Sequence, residues 1–385
     1  MKNVSLIIFL VSLVIFGLFI VVYYAIIYIA PKRVPTFEQA WVASQAVGEK
    51  IASNEPKLLK KGETIRLYAV IAGKKHNQKE QTYFTNAPGL KLDGEIIPPD
   101  KIENWQRRWG VVKVLWFKID TERDTYIPAQ EGRVPTIAYN EDYQSEWGFS
   151  WDKIVEVAPE QDLNPFTQEL KIRQEPGTMR FKIQALIYTK NNPVIPLRRV
   201  NSPGKEEADQ FGIPDRVSRL SISDGDSLLG YYRAFYNLPY INLDEPPEVE
   251  GYRIEHFIGG NSFNYLLGTF KLMGYKDLKF GSLDELYRVT DRLFSEVVPD
   301  TQGFYHQTSQ PHLRIRFGPG GVQVGDIILS GRQGGVISTD KSPAGTPNGY
   351  LDSSDLVTHC WQSKLTEEPM SDAFIPGFSV LRIKK

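Results

Sequence analysis

Met179-Arg180-Phe181-Lys182-Ile183-Gln184-Ala185-Leu186-Ile187-Tyr188-Thr189 sets Met179, Phe181 and Ile183 in alternation with Arg180, Lys182 and Gln184. Successive side chains of an extended strand point to opposite faces, so this spacing predicts a strand with one wet face. Runs of similar character precede it at Thr64–Ala72, Gln81–Thr85, Val111–Ile119 and Lys153–Val157, rich in β-branched and aromatic residues. Pro88-Gly89, Asp93-Gly94, Pro98-Pro99 and Pro176-Gly177 supply the breaks between them. No amphipathic helix intervenes, and residues 61–190 are expected to form an all-β antiparallel sandwich.

The turn followed by Gly177-Thr178-Met179-Arg180-Phe181 resembles the closing strands of immunoglobulin-like envelope modules, which implies an immunoglobulin-like sandwich and carries no site. On the N-terminal side, Thr36 is positioned to cap a helix over Phe37–Ala52, where Phe37, Ala40, Trp41, Ala43, Val47 and Ile51 recur at near-helical spacing. That segment, residues 31–60, reads as a stalk. Before it, residues 1–30 include the uncharged stretch Val4–Ile29. At about 1.5 Å per residue such a helix crosses a hydrocarbon core of roughly 30 Å, whereas a cleavable signal has an apolar core of about 7–15 residues. The expectation is a single transmembrane helix, Tyr23, Tyr24 and Tyr28 at its interface, and a cell-membrane protein with its bulk extracytoplasmic.

Composition narrows the function classes. The chain has 385 residues and a formal net charge of −1, with Lys and Arg spread along it, so no nucleic-acid groove is expected. Cys360 is the single cysteine, which excludes an intrachain disulfide and any multi-cysteine metal site. No cofactor or metal is expected. The proline-punctuated stretch 191–227, with Pro193, Pro196, Pro203-Gly204 and Pro214, reads as a linker. At its end Asp224-Gly225-Asp226-Ser227 lacks the spaced oxygen ligands of a calcium loop and reads as the cap of a helix starting at Leu228.

Residues 228–385 change character. Asn261 or Ser262 can cap a helix whose Phe263, Leu266, Leu267, Phe270 and Met273 share a face and which Gly274 closes. Ser282-Leu283-Asp284-Glu285 is a capping box opening a second helix to about Val298. Strand-like runs follow at Leu313–Phe317, Asp326–Ser330, Gly335–Ser338, Leu356–Trp361 and Phe378–Ile383, an α+β order.

Gly325-Asp326-Ile327-Ile328-Leu329, Gly335-Val336-Ile337 and Asn261-Ser262-Phe263-Asn264 resemble, in order and spacing, the papain-like cell-wall peptidases of the NlpC type. The resemblance implies a papain-like α+β domain in which a cysteine at a helix start is the nucleophile and a histidine opening a strand is the base. Here Ser262 occupies the nucleophile position and Gly335, within Gly334-Gly335, the position of the lost base; Asn261, Asn264 and Asp326 are the candidate binding residues. A serine hydroxyl needs a neighbouring base to attack, so the expectation is a catalytically inactive domain acting in binding or scaffolding, with peptidoglycan or an envelope protein as partner.

Two alternatives remain open: an active cell-wall peptidase or amidase using Ser262 with a displaced base from His256, His306, His312 or His359, and a structural subunit of an envelope assembly. A direct Cys360–His359 pair is disfavoured, because adjacent strand residues face opposite ways. Gly318-Pro319-Gly320-Gly321 and Gly331-Arg332-Gln333-Gly334-Gly335 lack the Lys-Ser/Thr of a phosphate loop and read as turns.

Overall fold

A computed structural model describes residues 35–75, 80–105, 110–121, 139–143, 155–157, 167–172, 176–188, 195–203, 216–241, 246–360 and 364–384. The protein is mainly β, and the described strands form three sheets. The first has Thr64–Lys74 at its centre, flanked by Thr36–Ala46 and Thr167–Ile172. The second has Gly177–Tyr188 at its centre, between Val111–Thr121 and Ser218–Ser223. These two sheets pack face to face. Phe37, Ala40, Val42, Ile65, Leu67 and Ile71 from one meet Val114, Trp116, Met179, Phe181, Ile183 and Leu220 from the other in a single buried core.

The first sheet is covered on its other face as well, where Trp41, Ala43, Tyr68 and Val70 lie with Ala87, Leu90, Leu92 and Ile97. This corrects the stalk helix. Thr36–Ala46 is a strand, paired antiparallel with Thr64–Lys74. A strand buried on both faces has no polar alternation. Its register also shifts between Phe37 and Gln39, so its apolar residues mimic a helical repeat.

The immunoglobulin-like description is corrected too. Three parallel pairings, Ala52–Ser53 with Leu90–Leu92, Gln81–Phe84 with Ile102–Glu103, and Lys57–Lys60 with Ser218–Ser223, run through the two sheets. An immunoglobulin sandwich is built of antiparallel sheets. The stretch read as a linker holds Arg198–Asn201 and Ser218–Ser223, both paired with Gly177–Tyr188. Ser227 caps the helix Leu228–Arg233, its side chain accepting from the Gly230 N–H.

The third sheet is seven-stranded and antiparallel, in the order Tyr305–Gln307, Thr290–Pro299, Phe378–Ile383, Ile327–Ser330, Gln333–Thr339, Leu356–His359, Thr366–Pro369. Helices Leu228–Arg233, Pro247–Glu255, Ser262–Leu272 and Leu283–Val289 bury Leu229, Tyr232, Ile254, Leu266 and Leu286 against one face, with Val336, Cys360 and Leu381 from the sheet. On the opposite face Ile328, Ile337 and Val380 pack with Tyr305, Ile315, Leu351, Met370 and Phe374. No papain-like α+β arrangement is evident, which corrects that expectation. The helix opened by Ser282 ends at Val289, and Thr290–Pro299 continues as a strand paired with Phe378–Ile383. Thr290, Val297 and Val298 are β-branched and favour the extended chain once a sheet edge is available.

Leu313–Phe317 is not a regular strand. It joins a closed ring in which Tyr305 N–H donates to Leu351 C=O, Leu351 N–H to Ile315 C=O, and Ile315 N–H to Tyr305 C=O, each at 2.9 Å. The third sheet and its helices are tied to the second sheet by Thr178, whose N–H donates to Tyr236 C=O at 2.8 Å and whose hydroxyl donates to Ala234 C=O at 3.0 Å.

The span Val4–Ile29, read as a membrane anchor, lies outside the described residues, and no helix among those described is long and apolar enough to cross a membrane. The single-pass anchor and the cell-membrane, extracytoplasmic placement built on it are therefore corrected: the structure lends them no support.

Candidate functional site

Asn261 is the N-cap of the helix Ser262–Leu272, in extended conformation, with its Oδ1 accepting the Asn264 N–H at 2.9 Å. This is the ordinary use of asparagine at a helix start, where main-chain donors lack intrahelical partners. It also commits Asn261 to the fold. The preceding Gly259-Gly260 passes so close to its neighbours that a Cβ on Gly260 would lie 2.6 Å from Ile254 Cδ1. Tyr265 locks the same corner, its hydroxyl accepting from Gly260 N–H at 3.0 Å and donating to Pro239 C=O at 2.7 Å.

Ser262 begins the helix and is 4% exposed. Its Oγ accepts the Gly334 N–H at 3.1 Å and donates to Arg332 C=O at 3.5 Å. The hydroxyl therefore pins the helix to the Ile327–Ser330/Gln333–Thr339 hairpin through main-chain atoms. Asn264 is equally buried, and its Oδ1 has no hydrogen-bond partner among the described residues.

The glycine pair divides between two faces. A Cβ on Gly334 would lie 2.3 Å from Leu266 Cδ1, on the helix side. One on Gly335 would meet His359 Cβ at 2.9 Å, Thr358 O at 2.9 Å and Phe374 Cζ at 3.0 Å, on the other side. Thus the structure brings Ser262 to Gly334, while Gly335 faces away from it.

His359 is the cross-strand partner of Gly335 and shares its face. Its Nε2 lies 3.2 Å from Glu368 Oε2, its ring packs 5.7 Å from Phe374, and its Nδ1 is buried without a hydrogen-bond partner among the described residues. Burial lowers its pKa, and Glu368 opposes that shift in part. Cys360, one residue on, turns to the helix side among Tyr232, Leu266 and the rest of that core, where burial pushes its thiol well above the ordinary range. The other described histidines are engaged elsewhere or exposed: His256 Nδ1 pairs with Tyr252 C=O at 2.8 Å, His306 Nδ1 with Gln307 C=O at 3.0 Å, and His312 is on the surface.

Asp326 sits apart from Ser262 and is fully occupied. Arg382 Nε donates to its Oδ1 at 2.7 Å and Nη2 to its Oδ2 at 2.6 Å; the Gln323 N–H donates to Oδ2 at 2.7 Å. The same Nη2 reaches Gly321 C=O at 2.7 Å, so the pair clamps the 318–325 loop to the last strand. The hydrogen bonds that Arg382 donates to Asp326 raise the guanidinium pKa. Nothing in the local sequence signals Arg382, 56 residues away, as the partner.

Among the described residues no group of three or more His, Cys, Asp or Glu side chains is arranged to hold a metal ion. No protein-family model, curated protein or solved structure matches the chain.

Proposed function

We propose that the chain is a binding or scaffolding protein whose Ser262 position is catalytically silent, with a peptidoglycan fragment or an envelope protein as its partner. The observation that supports this reading is the pair of main-chain bonds at Ser262 Oγ, to Gly334 N–H and Arg332 C=O. A serine hydroxyl attacks only when a base takes its proton. The closest thing to a base in the strands behind it, His359, belongs to the opposite face of the sheet. Burial to 4% exposure further denies the hydroxyl a substrate carbonyl.

The test is incubation of the full chain with purified cell-wall fragments, following release of new amine or reducing ends and co-sedimentation in parallel. Retention without cleavage is the expected result. Cleavage that disappears in Ser262→Ala overturns the reading, and absence of both cleavage and retention removes peptidoglycan as the partner.

A further inference from the structure

On the second covered face of the first sheet, the cover given by the described residues stops short of one end. Ala87, Leu90, Leu92 and Ile97 roof Trp41, Ala43, Tyr68 and Val70, and the roof begins at the 86–88 loop. Beyond it, Gln45, Thr64, Arg66 and the edge of Tyr68 floor a cavity of about 480 Å³, walled by the turn 46–49 on one side and by Asn86 and Pro88 on the other. That volume is in the range of small-molecule sites, about 300–1,000 Å³.

The floor is built in advance. Gln45 and Arg66 are cross-strand partners and leave the sheet on the same face. Tyr68 Oη donates to Gln45 Oε1 at 2.8 Å, and Gln45 Nε2 donates to Glu49 C=O at 2.8 Å. Both side chains are more than nine-tenths buried, at 4% and 9% exposure. Two bonds fix the amide and leave it one N–H and one lone pair, while the phenol keeps its acceptor capacity. Across the cavity Asn86 stands in the opposite wall.

Other ligand classes fit poorly. Among the described lining residues Glu49 is the one carboxylate, and it is already bound, accepting the Ala46 N–H at 2.8 Å and meeting Lys57 Nζ at 2.8 Å, which stands against a cation cage. Arg66 already has a partner, which stands against a simple anion there, and the polar floor stands against an apolar ligand. An added peptide strand has no edge to join, since Arg66 is paired on both sides, with Gln45 and Glu169. What remains is a small neutral molecule with closely spaced donors and acceptors and an apolar flank. Val47 and Pro88 at the rim offer that flank a surface.

We propose that this cavity binds one ring of a neutral saccharide, its hydroxyls exchanging hydrogen bonds with Gln45, Tyr68 and Asn86. The proposal does not rest on the role given to Ser262. Its test is calorimetric titration of the full chain with N-acetylchitotetraose, cellotetraose, maltotetraose and, as the peptide alternative, tetra-alanine. Saturable binding of at least one saccharide is expected, weakened about three- to tenfold by Tyr68→Phe and by Asn86→Ala, as loss of one hydrogen bond dictates, and unchanged by Ser262→Ala. Val47→Arg fills the mouth from a position 82% exposed, where folding is indifferent to the change, and is expected to abolish binding. Failure of every saccharide at millimolar concentration, binding indifferent to all three cavity variants, or binding of tetra-alanine alone overturns the proposal.

Discussion

Gly334 and Gly335 are adjacent in the chain and belong to different cores. Gly334 backs onto Leu266 and gives its N–H to Ser262; Gly335 backs onto His359 and Phe374 on the far face of the same sheet. One residue along a strand reverses the facing of a side chain. Two positions that read in sequence as one degenerate catalytic motif are therefore two separate packing contacts, and the spatial question of which His faces which Ser is answered by strand parity.

The comparison depends on the hairpin staying in register, and the largest effect is expected where that register is anchored. Asp326→Ala strands the Arg382 guanidinium and frees the 318–325 loop; urea unfolding is expected to report a loss of about 3–5 kcal/mol, nearer the lower figure because Arg382 is only half-buried.

The two glycines themselves give a sharper contrast. Gly335→Ala meets a carbonyl oxygen and a Cβ that cannot move, and is expected to cost about 2–3 kcal/mol. Gly334→Ala meets the end of one buried side chain, Leu266, which can yield by changing rotamer, and is expected to cost about 1–2 kcal/mol by the same measurement. Equal losses would mean that the two positions do not differ as described.

Acidity separates the two ends of the strand Leu356–His359. Asp355, immediately before it, is buried and its pKa is raised from 3.8 to about 7, so its contribution is full below about 3.8 and is lost as pH rises through 7. His359 has a lowered pKa, so its contribution is full above the ordinary imidazole value of 6.5 and is lost as pH falls below it. The two slopes oppose each other below 6.5. In thermal unfolding across pH 5–8, Asp355→Asn is expected to leave stability rising with pH up to about 6.5, and His359→Gln to leave it falling up to about pH 7, the latter by about 1–2 kcal/mol. A variant slope of the opposite sign would refute the assignment.

The smallest effect falls on the hydroxyl. Ser262→Ala leaves the Gly334 N–H unpaired in a buried site and is expected to cost about 1 kcal/mol in the same unfolding measurements.

The residues also explain what could be read in advance. Gly177–Tyr188, Val111–Thr121 and Thr64–Lys74 lie within a few residues of the runs Met179–Thr189, Val111–Ile119 and Thr64–Ala72, since β-branched and aromatic runs between turn signals suffice to mark a strand. The helix Ser262–Leu272 and its Asn261 cap were legible for the same local reason. Thr36–Ala46 was not, because burial on both faces erases the alternation that distinguishes strand from helix. The end of the Ser282 helix at Val289 was hidden as well, since the strand after it exists only where Phe378–Ile383 lies alongside. Of the candidate site, the meeting of Ser262 with the glycine hairpin was expected only through the resemblance to a papain-like domain, an arrangement the fold does not have; the assignment of Gly335 to the opposite face, the Arg382 clamp on Asp326 and the Gln45–Tyr68 floor all depend on contacts between distant residues.

The ring of amides joining Tyr305, Ile315 and Leu351 has a consequence for how the chain reaches its final form. Each bond in that triangle joins two of three segments separated by 10 and 36 residues, so no single hairpin can complete it. The triangle is expected to close as one event after the third sheet has assembled beneath it. Its three protons would then exchange with deuterated solvent at a common rate, slower than their loop setting alone suggests.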